Sequence, residues 1–378
     1  VEPIQLKAFN GLTGAYIGRV PYSSLSGQDS ISDEGSMSAT LPDCRQLRLI
    51  PSLDPYLRAY GTIYAATSGD RILHAGYLTR HAMNDNRDAL TLDIGGGFTI
   101  LTKRKVLNRR LKTLWRDGEV RIDDDKHIPD GWRLTARGTY RDLIRALIEE
   151  TLAWGPLPFE LPPIQGGADH ERDWDGWDFP GTWDEISDIA DLDDGPEIRA
   201  DPIIENDAIR FRLNVGEPEI VDHEWRWNTL TPGTGVTLAA TDCDGSVLTS
   251  QHFMVGGKHA DKTLVAMAQG SALASDGWPL LQTSDASHSS ITVLRTLQSY
   301  ARAAILTGDT DQTTHGLNVD ISRDVHVGDH AVVRVSETNP DDRQRDVLLP
   351  EKVGLKITDV KWDAGKQFQT LQARPLEA

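Results

Sequence analysis

The amino-acid sequence predicts a mainly β protein with α+β parts: two tube-like β-barrel domains, a small α+β domain and a helical insertion. Three observations predict it. Short runs of β-branched and aromatic residues, bounded by Gly, Asp and Asn, recur towards both ends of the chain, as strands joined by tight turns do. Helical spacing of apolar residues is confined to a few segments between and within those groups. The clearest meander, residues 61–105, carries glycines beside and inside its strands, which lets a twisted sheet bend and curl.

Residues 1–115 form the first expected barrel. A short β-like run at 11–18 precedes a polar loop at 23–36, a run at 38–42 and a strand at 45–51 that Pro51 stops. Strands follow at 62–66, 71–79, 90–94 and 98–101, the last after a bend at Gly95, Gly96 and Gly97. The expected α+β domain spans 116–216. Thr139 and Asp142 stand at the two ends of a capping box. Leu143, Ile144, Leu147, Ile148 and Leu152 then recur at helical spacing. A second helix is expected from Thr182, as N-cap, to about Asp193, with Glu185 at the capping-box position. A hairpin turning at Asn206 and Asp207 closes the domain.

The second expected barrel comprises 217–260 and 316–378. Its strands are read at 224–228, 236–241, 247–254, 331–335, 354–362 and 368–373, with a turn at Asp244 and Gly245. The helical insertion, 261–315, has a short helix at 261–273 and a strong one at 289–306.

Composition narrows the function classes. The 378 residues suffice for two to four domains with cores. A formal charge of −18 argues against a general nucleic-acid-binding surface, while a negative wall would let DNA pass without adhering. No apolar run approaches the length of a membrane span. Cys44 and Cys243 sit in unrelated contexts and supply neither a disulfide framework nor metal spacing, which fits assembly in a reducing cytosol.

The candidate chemistry is weak throughout. Lys103, Arg104, Lys105, Arg109, Arg110, Lys112 and Arg116 form a basic patch that could contact phosphate, but no aromatic residues interleave as a stacking platform needs. A solvated hairpin is the plainer reading. The triple glycine precedes a strand-like run instead of the helix N-terminus a phosphate cradle needs. Asp242 and Asp244 resemble the start of a calcium loop, yet Phe253 stands where the closing Glu belongs. The acidic stretch 169–194, with Trp174 and Trp177, could mimic a sugar cleft, but a glycosidase needs two carboxylates aimed at one bond. His252 and His259 lack a helical zinc pattern, and Ser287 beside His288 lacks a partner. No catalytic, cofactor-binding or metal-ligating residue is therefore assigned, and no cofactor is expected.

Six ordered stretches resemble the siphophage tail-hub family of actinobacterial phages, minor tail proteins related to the baseplate hub of contractile tails. They are GDRILHAG at 69–76, LTLDIG at 90–95 followed by Arg104, the helix at 140–152, WDEISDIA at 183–190 leading to IRFRLNVGEP at 209–218, DGWPL at 276–280, and VGD at 327–329. The first sixty residues match poorly. The resemblance implies a homotrimeric ring in which two similar barrels per subunit give pseudo-sixfold symmetry. It implies a place in the virion, at the tail tip, after assembly in the host cytoplasm. The implied partners are a distal tail protein, the tape-measure protein and tip or fibre proteins, with transient passage of DNA. The expectation is a structural protein and not an enzyme. The alternatives are a cell-envelope hydrolase using the carboxylates of 169–194, and a glycan-binding module using Trp174, Trp177, Trp225 or Trp227.

Overall fold

A computed structural model describes residues 2–42, 52–83, 89–116, 119–120, 132–167, 170–259, 262–289, 291–310, 313–335 and 352–376. The strand expected at 45–51, Cys44 and the loop at 84–88 lie outside these residues. The protein is mainly β, with helices in its middle and in an insertion.

Among the described residues, seven antiparallel strands build the first half: β1 (Gln5–Asn10), β2 (Tyr16–Val20), β3 (Ser24–Ser30), β4 (Ser36–Leu41), β5 (Thr62–Ser68), β6 (Arg71–Met83) and β7 (Leu90–Gly95), in the order β2-β1-β5-β6-β7-β4-β3. β3 corrects the reading of 23–36 as a loop. The expected strand at 98–101 is also corrected: Gly97–Lys103 is a 3-10 helix. The glycines earlier in this turn are needed for close approach, since a Cβ on Gly96 would lie 1.6 Å from the Glu34 carbonyl oxygen.

After the two-residue pair β8 (Trp115–Arg116) and β9 (Glu119–Val120), the middle of the chain forms β10 (Arg133–Gly138), α1 (Tyr140–Trp154), β11 (Phe159–Glu160), β12 (His170–Asp175), α2 (Thr182–Ala190), β13 (Ile198–Glu205) and β14 (Ala208–Val215). Thr139 caps α1 in the expected capping box. The cap expected at Thr182 is not made. Gly181 is the N-cap, and the buried Thr182 hydroxyl meets Thr151 of α1 at 2.9 Å. Asn206 and Asp207 both take positive φ, as a two-residue turn matched to strand twist requires.

This middle unit shares one core with the first sheet. Ile144, Leu147, Ile186, Phe211 and Leu213 pack with Phe9, Ile63, Tyr77 and Phe98. Tyr64, Ala66, Leu78 and Leu92 belong to a second core with Leu6, Leu25 and Met37. Neighbouring residues of β5 thus feed different cores, which is why Thr62 to Thr67 reads as an unbroken buried run instead of an alternating one.

The second half contains β15 (Glu224–Asn228), β16 (Val236–Cys243), β20 (Thr313–Asp320), β21 (His330–Arg334), β22 (Lys352–Asp363) and β23 (Phe368–Pro375). Between β16 and β20 lie β17 (Gln251–His259), β18 (Lys262–Gln269), β19 (Gln282–Asp285) and α3 (Leu294–Gly308). α3 realises the helix expected at 289–306. The helix expected at 261–273 is corrected: most of it is β18, followed by a single helical turn at Ala272–Ser275. The return strand expected from Val247 to Met254 does not pair with β16 either. β16 pairs with β20, and β17 joins β18 and β19 in a separate sheet under α3.

The two halves are one hydrogen-bonded sheet. β3 pairs with β4 on one side and, antiparallel, with β22 on the other, in register from Ser30↔Asp359 to Ser26↔Asp363. The path runs open from β2 to β16 among the described residues. Side chains cross the join in both directions. Trp362 of β22 is buried in the core of the first half, and Ile31, just past β3, packs on the core of the second. Gly27 makes room for the indole, because a Cβ there would lie 2.7 Å from the ring. Gly27→Val is therefore expected to destabilise the protein by roughly 1–3 kcal/mol and to shift Trp362 fluorescence. Urea denaturation of the variant with unchanged stability would remove the packing argument.

Candidate functional site: a charged seam between the halves

The join carries a cluster of buried and half-buried charges. β22 places Lys356 where only 1% of its side chain is exposed, with Glu197 at 2.8 Å and Glu219 at 3.0 Å. Both carboxylates come from the segments flanking the β13–β14 hairpin. Glu197 also accepts the Ile220 backbone N–H at 2.8 Å, and His330 of β21 stands 3.3 Å from Glu219. Burial pushes the Glu219 carboxyl up, but the Lys356 ammonium and the His330 imidazole outweigh it and hold the group below its ordinary value.

Two arginines repeat the pattern. Arg199 of β13 donates to the Val327 carbonyl at 2.8 Å and pairs with Asp201 and Asp222. Burial alone would lower its pKa, but the two carboxylates hold it raised. Arg71 of β6 reaches into the second half, to Asp324 at 2.6 Å and to the Ile321 carbonyl and Gln369. Within the first half, burial pushes the His74 imidazole down, yet Asp29 at 2.7 Å and the Gly95 carbonyl hold its pKa above the usual histidine value. These groups border a cleft of about 440 Å³ lined by Asp29, Arg71, His74, Arg199, Asp222 and Asp324. Each cation named there already has a carboxylate partner among the described residues, so Arg71, His74 and Arg199 are not free to hold an anionic ligand. Its chemistry is that of a joint: charges from the first sheet, the hairpin and the second sheet neutralise one another.

Three residues of the basic patch expected at 103–116, Arg104, Arg109 and Lys112, serve local structure. Arg104 donates to the Thr151 and Gly155 carbonyls, and Lys112 to the Ala153 carbonyl, which places two cations at the C-terminal end of α1 where its dipole favours them. Arg109 pairs with Glu149 and Glu150. The Arg116 side chain lies outside the described residues.

The acidic stretch and its tryptophans do not form a sugar cleft among the described residues. Trp174 is buried and donates from Nε1 to Glu185 at 2.8 Å. Burial pushes the carboxyls of Glu185, Asp188 and Asp191 up, but none of the three lines the cleft at the seam. Asp193 bonds Ser299 and Arg302 of α3, tying the insertion to the middle unit. Trp227 is buried and Trp225 half-buried, their rings stacked 5.6 Å apart, while Trp177 is exposed under the Arg133 guanidinium. Ser287 donates to Asp285, and His288 stacks on Tyr300, so the two make no nucleophile–base pair. Asp244 caps a single 3-10 turn. The seam itself escaped sequence reasoning because its partners lie far apart in the chain.

No protein-family model matches the chain, and no curated protein matches it by sequence. Solved structures do match. A tail protein from Neisseria meningitidis is 13% identical with a TM-score of 0.54, covering 99% of this chain and 97% of that one. The chain shares its fold with phage-type tail proteins. A prophage tail protein from Shewanella oneidensis is 8% identical with a TM-score of 0.57 over the same shares, 99% and 97%. One from Listeria monocytogenes is 9% identical at 0.50, over 97% and 94%. The matched residues span both halves of the chain.

Replacing Lys356 would strand Glu197 in a largely desolvated site. Lys356→Met is expected to cost about 3 kcal/mol, with a substantial part recovered in the Lys356→Met, Glu197→Gln double variant. A double-mutant cycle by urea denaturation measures it, and additive losses would show that the pair is not coupled.

Proposed function

We propose that the protein is a structural hub of a phage tail tip, a homotrimeric ring that joins the tail tube to the tip apparatus. The observation that carries the proposal is the shared fold with tail proteins over nearly the whole length of both chains. The two β halves give it a physical basis. A chain that holds two β halves in fixed relation would let three copies offer six comparable faces, and a ring closes through heterologous contacts when the rotation is right. The seam between β3 and β22 would set that relation within each subunit.

In this reading the distal tail protein, the tape-measure protein and other tip or fibre proteins are the neighbours, and the protein acts by position and not by catalysis. DNA would cross the ring without binding. Each copy brings a formal charge of −18, and carboxylates facing the lumen would keep phosphate from adhering. The division of the chain at 1–115, 116–216, 217–260 with 316–378, and 261–315 belongs to the same proposal. The core shared by the first sheet and the middle unit supports reading the first two segments as one building block.

The full chain in solution is expected to have three times the 41.7 kDa subunit mass by light scattering, and its particle images are expected to show a threefold ring with a central opening. A stable monomer, or a compact oligomer without an opening, would overturn the proposal.

A further inference from the structure

The geometry points to a transition-metal site built from His223, His326 and Asp329. One ligand atom from each lies within 4.8 Å of the others. The three residues stand where the chain enters the second sheet. His223 precedes β15, and His326 and Asp329 precede β21, its parallel partner.

Asp329 is fully buried and held like an oriented ligand. Its Oδ2 accepts from Trp225 Nε1 at 2.9 Å and from the His326 backbone N–H at 3.1 Å, and among the described residues its Oδ1 accepts only the His223 backbone N–H at 3.1 Å. A carboxylate oxygen accepts two hydrogen bonds, so Oδ1 keeps a lone pair. That atom lies 3.8 Å from His223 Nδ1, too long for a hydrogen bond.

His326 supplies the second indication. Its Nε2 lies 3.5 Å from Asp324, whereas Nδ1 is buried without a hydrogen-bond partner among the described residues. A ligating histidine is commonly oriented in this way, with a carboxylate facing one ring nitrogen and the metal on the other. Asp324 is in turn fixed by Arg71.

His223 leaves the site open to solvent, with 55% of its side chain exposed. The two imidazole rings lie 6.4 Å apart and only 24° from parallel. Metal–ligand bonds of about 2.0–2.2 Å require the ligand atoms to close in from their present separation, and the exposed His223 ring is the ligand freest to turn. Two imidazoles and one carboxylate suit zinc and similar divalent ions better than magnesium or calcium. Water would complete the coordination. The bound ion would pin the start of β15 to the loop before β21.

The test is calorimetric titration of the full chain, free of any histidine tag, with Zn²⁺. The expected result is one saturable zinc site per chain, no matching site for Mg²⁺, and a rise in melting temperature on zinc addition. His223→Ala, at an exposed position, and His326→Gln are each expected to weaken zinc binding roughly tenfold or more, whereas His288→Ala leaves it unchanged. The inference is overturned if Zn²⁺ gives no saturable binding. It is equally overturned if His223→Ala binds zinc as tightly as the parent chain and shows the same thermal shift.

Discussion

The pairing of β3 with β22 is the constraint on which the rest of the structure depends. Each half could satisfy its interior hydrogen bonds separately, but then β3 and β22 would each present an open edge. An exposed edge is a template for unwanted pairing. Joining the two edges removes the hazard and fixes the angle between the halves through main-chain hydrogen bonds. The exchange of Trp362 and Ile31 across the join gives each core a residue from the other half. The register is therefore set by packing as well as by the backbone ladder.

The buried charges act at the same place for a different reason. A buried ion pair adds little net stability over well-packed apolar residues, because both ions lose their hydration. Its value lies in what it excludes. With Lys356 on one side and Glu197 and Glu219 on the other, any slip of the hairpin against β22 leaves a charge desolvated and unpaired. Arg71 and Arg199 impose the same condition at other points of the seam. The proposed ring would need such a joint, since a small change in the angle between the two halves would be multiplied around the circle.

Elements with one clear periodicity were legible in the sequence. The capping box and apolar spacing of α1 and the hairpin turning at Asn206 and Asp207 are local features, and they appear where expected. Elements whose surroundings come from distant chain were not. β3 is SLSGQDS, and most of it is only half-buried, because its polar side chains meet a strand from the far end of the chain; Ser30 bonds Asp359. β18 read as helical because both its faces are apolar. Leu264, Ala266 and Ala268 pack towards α3, while Val265 and Met267 are exposed, so the alternation that marks a strand is hidden. Thr182 has the chemistry of an N-cap but spends its hydroxyl on Thr151 of another helix. The seam needs pairs such as Lys356 with Glu197, and no local pattern announces them.

The proposed hub role rests on the two halves behaving as one rigid body, a property that hydrogen exchange reads directly. Amides of Ser24–Ser30 and of the β22 residues that face them are expected to exchange only through global opening, with the same free energy and the same denaturant dependence as the innermost strands β5 and β6. Exchange of the β3–β22 ladder at markedly lower free energy, with each half still protected, would mean two independent domains in loose contact and would contradict the account.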